Sequence, residues 1–424
     1  MFRLATMAFS QSRRQCLSII LLMALGWLPG CQLPRQTIPN EGASGSTITF
    51  GSVLALAGQE EGLGNRMKIG LETALKDQKV KGRSIRLIFK NDYYEPASTR
   101  QATQEIIQDQ IFLMIGNVGT PTAKVSLPIL AEQNIPAVGF FTGSGILRPG
   151  KGPIVNYRAS YAQEIKAVVQ LAIRNGVTPE QICAYVQNDS YGMSGLAGLK
   201  SALIATKGDA AIIQSFDKIL TMAGDNPQRN HIGPVGVYAR NTPNVVPGYQ
   251  SIKAWEKNSG VKCRLIVTVG SYSNIARFAS HLQQQGEKRI ISAVSFTGGD
   301  DFMLDLEEYG IRDRVIMTHV APLLDSNLPI VQEARTKLEN EFGHVSLEGY
   351  IVGKMTLRIL KDIPGEITRD SFMQQVARSQ FDLGGVTINF VENHNQGSNL
   401  VILSYLTPQG FRTLDAATFK AMLQ

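Results

Sequence analysis

"IGNVGTPTAKVSLPILAEQNIPAVGFFTG", Ile115 to Gly143, carries a strand end, a glycine-bearing turn, an amphipathic helix, a second strand and a second glycine-bearing turn in direct succession. The run "IFLMI" (Ile111 to Ile115) enters it as a strand, helical spacing follows from Pro121 to Gln133, and "IPAV" (Ile135 to Val138) is the next strand. Short aliphatic runs alternating with helical-period segments predict an α/β protein with a mostly parallel sheet. Parallel neighbours would set the two turns side by side at carboxyl ends of strands, where ligands of open α/β sheets collect.

The same alternation extends in both directions. Towards the amino terminus, "TITFGSVLAL" (Thr47 to Leu56) and "SIRLIFK" (Ser84 to Lys90) read as strands. Between them Leu63, Met67, Leu71, Ala74 and Leu75 form one apolar helical face. Towards the carboxyl terminus the pattern restarts with helix Ala162 to Gly176, strand "ICAYVQ" (Ile182 to Gln187), a helix, and "AAIIQSF" (Ala210 to Phe216), read as a strand. Strand "RLIVTVG" (Arg264 to Gly270), helix Asn274 to Gly286 and strand "IISAVSF" (Ile290 to Phe296) continue it. Two successive units predict two lobes with a cleft between them as the site. The stretch from Asp217 to Gly248, rich in Pro, Gly and Asn, reads as a structureless insertion, either a mobile surface loop or a flap that contacts a partner.

In the opening stretch Thr120 is placed to cap the helix and Pro121 to be its first residue, where a missing N–H costs nothing. Gly116 and Gly119 would let backbone amides face outward, so the helix start can offer N–H donors and a hydroxyl to a small anionic head group. The plainer alternative is a strand-to-helix turn in which Thr120 only caps. Phe141, beside Thr142 and Gly143 in the second turn, reads as a cleft wall. A phosphate loop is excluded because Pro121 stands where its second glycine belongs, and "GLGNRM" (Gly62 to Met67) lacks the third glycine of a dinucleotide loop. The five histidines are dispersed and without H-E-x-x-H spacing, so no metal site is expected. No G-x-S-x-G and no nucleophile-base spacing occur, which argues against an enzyme, and no cofactor is implied. Although the net charge is +7, no block of five Lys/Arg occurs, so nucleic acid is not an expected partner.

Arg13-Arg14 precede an apolar run, Leu17 to Leu28, too short for a comfortable membrane span of about 20 residues. Followed by Pro29-Gly30-Cys31, this reads as an export signal over residues 1–30. Its end resembles the bacterial lipobox, which makes Cys31 the expected lipidation site. An ordinary cleaved signal is the alternative, and "SRRQCLS" (Ser12 to Ser18) also resembles a twin-arginine signal. Residues 31–46 suit a flexible tether. In an oxidising compartment Cys183 and Cys263 could pair, or each could be a buried thiol in a strand.

The opening stretch, "NYRASYAQE" (Asn156 to Glu164), "QNDSYG" (Gln187 to Gly192), "SLEGYIVGK" (Ser346 to Lys354), "FDLGG" (Phe381 to Gly385) and "NHNQGSNLVIL" (Asn393 to Leu403) together resemble the substrate-binding proteins of ABC transporters. The branch is that of the branched-chain amino acid and amide binding proteins. The resemblance implies the type I periplasmic-binding fold: two lobes, each a mostly parallel sheet flanked by helices, joined by three hinge crossings. It assigns 47–158 with 321–382 to one lobe and 159–320 with 383–424 to the other. It implies that Asn117, Gly119, Thr120, Phe141, Thr142 and Gly143 hold a ligand's carboxylate and part of its ammonium. Tyr191 and Tyr272 would cover the ligand, Asp300 of "FTGGD" (Phe296 to Asp300) would pair with its ammonium group, and Tyr161 would line the cleft. Leu63 stands where family members often carry an aromatic wall. The implied function is capture without catalysis of a small amino acid, amide or related carboxylate by a monomer on the extracytoplasmic face. Delivery would be to an ABC permease in the inner membrane. A sensing lipoprotein of the same fold with a signalling partner is the alternative.

Overall fold

A computed structural model describes residues 42–43, 45–224 and 226–424. The expected export signal, residues 1–30, and Cys31 lie outside the described residues. Two main sheets organise the rest. The first contains β1 (Thr47–Leu54), β2 (Lys79–Val80), β3 (Arg83–Asn91), β4 (Leu113–Ile115), β5 (Ala137–Val138) and β6 (Ile154–Val155), in the order β2-β3-β1-β4-β5-β6. All its pairings are parallel except β2 with β3. The second contains β7 (Ile182–Gln187), β8 (Val235–Tyr238), β9 (Leu265–Val269), β10 (Ile290–Ala293) and β11 (Val315–His319) in parallel. After a separate hairpin of β12 (Gln380–Asp382) and β13 (Thr387–Asn389), β14 (Ile402–Thr407) and β15 (Gly410–Thr413) join the second sheet antiparallel. The chain thus passes from first sheet to second after β6, leaves the second after β11 and returns to it at β14.

The helices that matter for the site are α1 (Glu61–Leu75), α2 (Pro96–Gln108), α3 (Thr120–Glu132), α4 (Tyr161–Arg174), α5 (Ser190–Ala205), α6 (Ala210–Thr221), α7 (Val246–Ser259), α8 (Tyr272–Gln284), α9 (Gly299–Glu308), α10 (Pro329–Leu338) and α11 (His344–Lys361). The apolar face read for α1 is buried, and Leu63, Met67, Leu71 and Leu75 share one core with Tyr350, Ile351 and Met355 of α11. The two helices touch through glycine: a Cβ on Gly70 would lie 2.2 Å from the Ser346 carbonyl and 2.8 Å from the Tyr350 amide nitrogen. Gly70→Ala should therefore destabilise the protein by about 2 kcal/mol in urea titration, because overpacking outweighs the roughly 1 kcal/mol that alanine gains in a helix. A stabilised variant would show that the helices can separate freely.

Two expectations are corrected. "AAIIQSF" is helix, not strand: the Asp209 carboxylate accepts from the amides of Ala211 (2.8 Å) and Ile212 (3.1 Å), capping α6. Its residues Ile212, Phe216 and Ile219 recur at helical spacing and are buried on one face. β-branched content in a seven-residue window suggested a strand because both periods bury such a run. The stretch Asp217 to Gly248 is also not structureless; it holds the end of α6, all of β8 and the start of α7. Its anchor is Arg229, whose buried guanidinium donates to the Ile219 carbonyl (3.2 Å), the Asn188 side-chain oxygen (2.8 Å) and the Met222 carbonyl (2.6 Å). The helix end thereby receives donors for its last carbonyls. Cys183 on β7 and Cys263 ahead of β9 form a disulfide with Cα atoms 5.7 Å apart.

Candidate functional site

The two turns of the opening stretch do lie side by side. Val118 and Phe141 form a parallel bridge beyond the ends of β4 and β5, with the Phe141 amide donating to the Asn117 carbonyl at 2.8 Å. Asn117 is tied to β1, its side-chain oxygen accepting from the Val53 amide at 3.1 Å, while its Nδ2 is buried without a partner. Gly119, at φ 106°, is the helix cap; a Cβ there would meet the Tyr94 ring at 2.4 Å, so glycine is needed for both conformation and approach.

Thr120 is thus the first residue of α3 and not its cap, and Pro121 is the second. Released from capping, the Thr120 hydroxyl lies 2.7 Å from that of Thr142, which is 3.1 Å from the Tyr161 phenol oxygen. The Gly143 carbonyl accepts from the Tyr161 amide at 2.8 Å, which holds the start of α4 on the second turn. Burial pushes the Tyr161 phenol up to about 12, so it stays a proton donor at neutral pH.

Aromatic rings cover this hydroxyl chain. Tyr161 and Tyr191 have centroids 5.4 Å apart, Tyr191 and Phe296 4.6 Å, Phe141 and Phe296 5.2 Å, and Tyr94 and Phe296 6.2 Å. Tyr94 and Phe141 follow strands of the first sheet, whereas Tyr191 and Phe296 follow strands of the second. Thr120 and Tyr191 each have 0% exposure, so the two sides are closed upon one another. Polar ties hold the closure. Arg66 donates twice to Asp301 (2.9 and 3.0 Å), Arg240 joins Asp189 (2.9 Å) to Glu95 (3.0 Å), and the hydroxyls of Ser144 and Ser194 lie 2.6 Å apart.

Of the residues expected from sequence, Asn117, Gly119, Thr120, Phe141, Thr142, Gly143, Tyr161 and Tyr191 come together. Tyr272 and Asp300 are engaged elsewhere along the closure. The Tyr272 hydroxyl donates to the Gln59 carbonyl at 2.7 Å. The Asp300 carboxylate accepts from the His344 amide at 2.8 Å and the Val345 amide at 3.4 Å, capping α11 and not its own helix. Leu63 packs next to Gly298, where a Cβ would meet its Cδ2 at 2.4 Å.

Sequence reasoning missed four residues of this region: Glu60, Tyr94, Arg158 and Phe296. Phe296 opens the very "FTGGD" segment from which only the acid was taken. Glu60 lies two residues before Gly62, where the run read only as a nucleotide loop begins. Arg158 is buried with its Nε 3.2 Å from Glu348, its guanidinium 4.4 Å from the Phe141 ring centre, and a hydrogen bond to the Ser295 hydroxyl. Across the same junction Glu164 accepts from the Ser295 amide (2.8 Å) and the Thr318 hydroxyl.

Two sheets thus close over a buried hydroxyl chain roofed by aromatic rings from both sides. Residues 47–217 match the family model described as "Periplasmic binding protein". "Leu/Ile/Val-binding protein homolog 3" of Brucella melitensis is 26% identical over 173 residues, 40% of this chain and 46% of that protein, so the match spans just under half of that relative's length. The crystal structure of "a possible leucine/isoleucine/valine-binding protein" from Rhodopirellula baltica superposes with a TM-score of 0.78 at 29% identity, covering 90% of this chain and 99% of that one. A substrate-binding periplasmic protein from Ralstonia solanacearum has a TM-score of 0.71 at 18% identity, over 87% and 99%. The chain has the type I periplasmic-binding fold, its residues 47–217 match the periplasmic binding protein family, and it is similar to substrate-binding proteins of ABC transporters. This family and fold are those of solute-binding proteins, not of enzymes. Among the described residues no helix is long and apolar enough to cross a membrane.

Proposed function

We propose that this chain captures a small amino acid, amide or related carboxylate outside the cytoplasm and delivers it to the permease of an ABC importer. In this reading residues 47–158 with 321–382 form one lobe and 159–320 with 383–424 the other. The ligand docks on the first lobe, and closure of the second completes the site. The observation that carries the reading is the pair of adjacent strand-end turns. They present the unpartnered Asn117 Nδ2 and the Thr120 and Thr142 hydroxyls under rings from the opposite side. Such donors suit a carboxylate, and the rings suit exclusion of water from it. The names of the similar proteins from Brucella and Rhodopirellula, both branched-chain amino acid binders in wording, point the same way. Lipidation at Cys31 would hold the domain at the membrane, and its test is the mass of the exported amino-terminal peptide.

A thermal-shift screen of amino acids, amides, urea and aromatic acids tests the reading directly. At least one should raise the melting temperature, and a flat response across the whole panel removes the proposal. For a ligand so found, Thr120→Ala should weaken binding about tenfold in calorimetry, the effect of losing one buried hydrogen-bond donor. Full retention of affinity would place the carboxylate elsewhere.

A further inference from the structure

The Glu60 carboxylate is buried and takes part in none of the ion pairs that tie the closure. It sits between β1 and α1 with 1% exposure, and neither of its carboxylate oxygens has a hydrogen-bond partner. Although it immediately precedes α1, its side chain does not cap that helix. The two cations on the closure are committed to other acids, Arg66 to Asp301 and Arg240 to Asp189 and Glu95. Among the described residues no ion pair includes Glu60. A buried carboxylate without a cation is costly, and burial pushes this one up to about 7, reinforced by Asp305 and Asp301 of α9 and opposed by Ser271 ahead of α8.

The phenols of Tyr94, Tyr238 and Tyr272 all feel the charge of Glu60. Asn274 on α8, whose Nδ2 points back to the Ser271 hydroxyl at 3.4 Å, leaves its side-chain oxygen buried without a partner. The unpartnered Tyr94 oxygen belongs to the same ring that packs against Gly119. The Asn117 Nδ2 donor is orphaned at the turn with the threonine hydroxyls, and three acceptor oxygens, two of Glu60 and one of Asn274, are orphaned where the Tyr272 hydroxyl ties the residue before Glu60 to the start of α8. A molecule that satisfies both ends carries an acceptor group at one end and a donor-only cation at the other. Aromatic faces beside the acid add attraction for such a cation.

We infer that Glu60, with Asn274 and the ring of Tyr94, receives the ammonium group of the ligand, and that the ligand is an amino acid rather than an amide, urea or a simple carboxylic acid. The inference rests on the reading of the closure as the ligand site. It assigns the counter-charge to the first-sheet side, since Asp300 is spent on the amides of α11 and Asp301 on Arg66.

The test is calorimetry on the exported protein with each of the twenty amino acids beside its deaminated carboxylic acid, for wild type and Glu60→Gln. One amino acid should bind wild type at least about 30-fold more tightly than its deaminated counterpart. Glu60→Gln should lose about 30-fold for that amino acid and nothing for the deaminated acid, while melting no lower than wild type at pH 8. Equal binding of an amino acid and its deaminated counterpart by wild type overturns the inference without any variant. So does full amino acid affinity in Glu60→Gln, and in both cases the closure remains a ligand site. If no member of either series binds, the inference falls, and the reading beneath it falls only when the amides, urea and aromatic acids of the thermal-shift panel also give no response.

Discussion

Replacing Arg158 with alanine should lower folding stability by about 3–5 kcal/mol at pH 8, among the largest losses any single substitution will produce here. The side chain is 1% exposed and sits between Glu348 of α11 and Glu164 of α4, two carboxyls that are themselves buried. Burial holds Glu348 up to about 7 even beside this guanidinium, and pushes Glu164 up as well. Removing the cation leaves two acids in a medium that solvates charge poorly, and also removes the guanidinium from the face of Phe141. Urea titration measures the loss. It should shrink on moving to pH 5, where the stranded carboxyls can take up protons. A loss below about 1 kcal/mol, or one independent of pH, would show that Arg158 does not hold these acids.

Glu60→Gln should do the opposite to stability, and with a defined pH window. The carboxyl ordinarily titrates at 4.5 and in the fold at about 7, so the folded state holds the proton more tightly than the unfolded state. Stability from this group is fully present below about 4.5 and is lost as pH rises through about 7. At pH 8 the wild type bears the whole cost of a buried charge, and glutamine does not. The variant should be more stable there by about 3 kcal/mol and equal to wild type below about pH 4. Comparing the two proteins matters because buried His319 and His344, both pushed down by burial, drive the total stability the other way over the same range. A variant less stable than wild type at pH 8 would mean that Glu60 has a structural partner.

The alternation of runs made most of the two sheets legible, because a parallel strand buried on both faces must be nearly continuous in apolar residues. β1, β3, β7, β9 and β10 fall where those runs fall. What failed was local ambiguity: "AAIIQSF" is short enough to satisfy either period, and only the Asp209 cap distinguishes them. The hydroxyl chain of the site was half legible. Glycine spacing placed Thr120 and Thr142 at neighbouring turns, yet the same local rule wrongly made Thr120 a cap. The acids were not legible at all. Whether Asp300, Asp301 or Glu60 faces a ligand depends on which cations and amides lie opposite, and Arg66 is 235 residues from Asp301 in the chain. Nothing local separates a spent carboxylate from an unspent one.

Phe296 has a bearing on how this protein rests when nothing is bound. It is carried by the second-sheet side and lies against Tyr94 and Phe141 of the first. Each such ring pair is worth about 0.5–1.5 kcal/mol beyond its buried area. Shutting the protein therefore has a driving force of its own, independent of any solute. The share of molecules already shut then sets how far apparent affinity falls below intrinsic affinity. Trimming Phe296 would spread resting molecules towards wider radii in solution scattering, and would reveal how much of the tightness of binding is owed to a ring that never needs to touch the cargo.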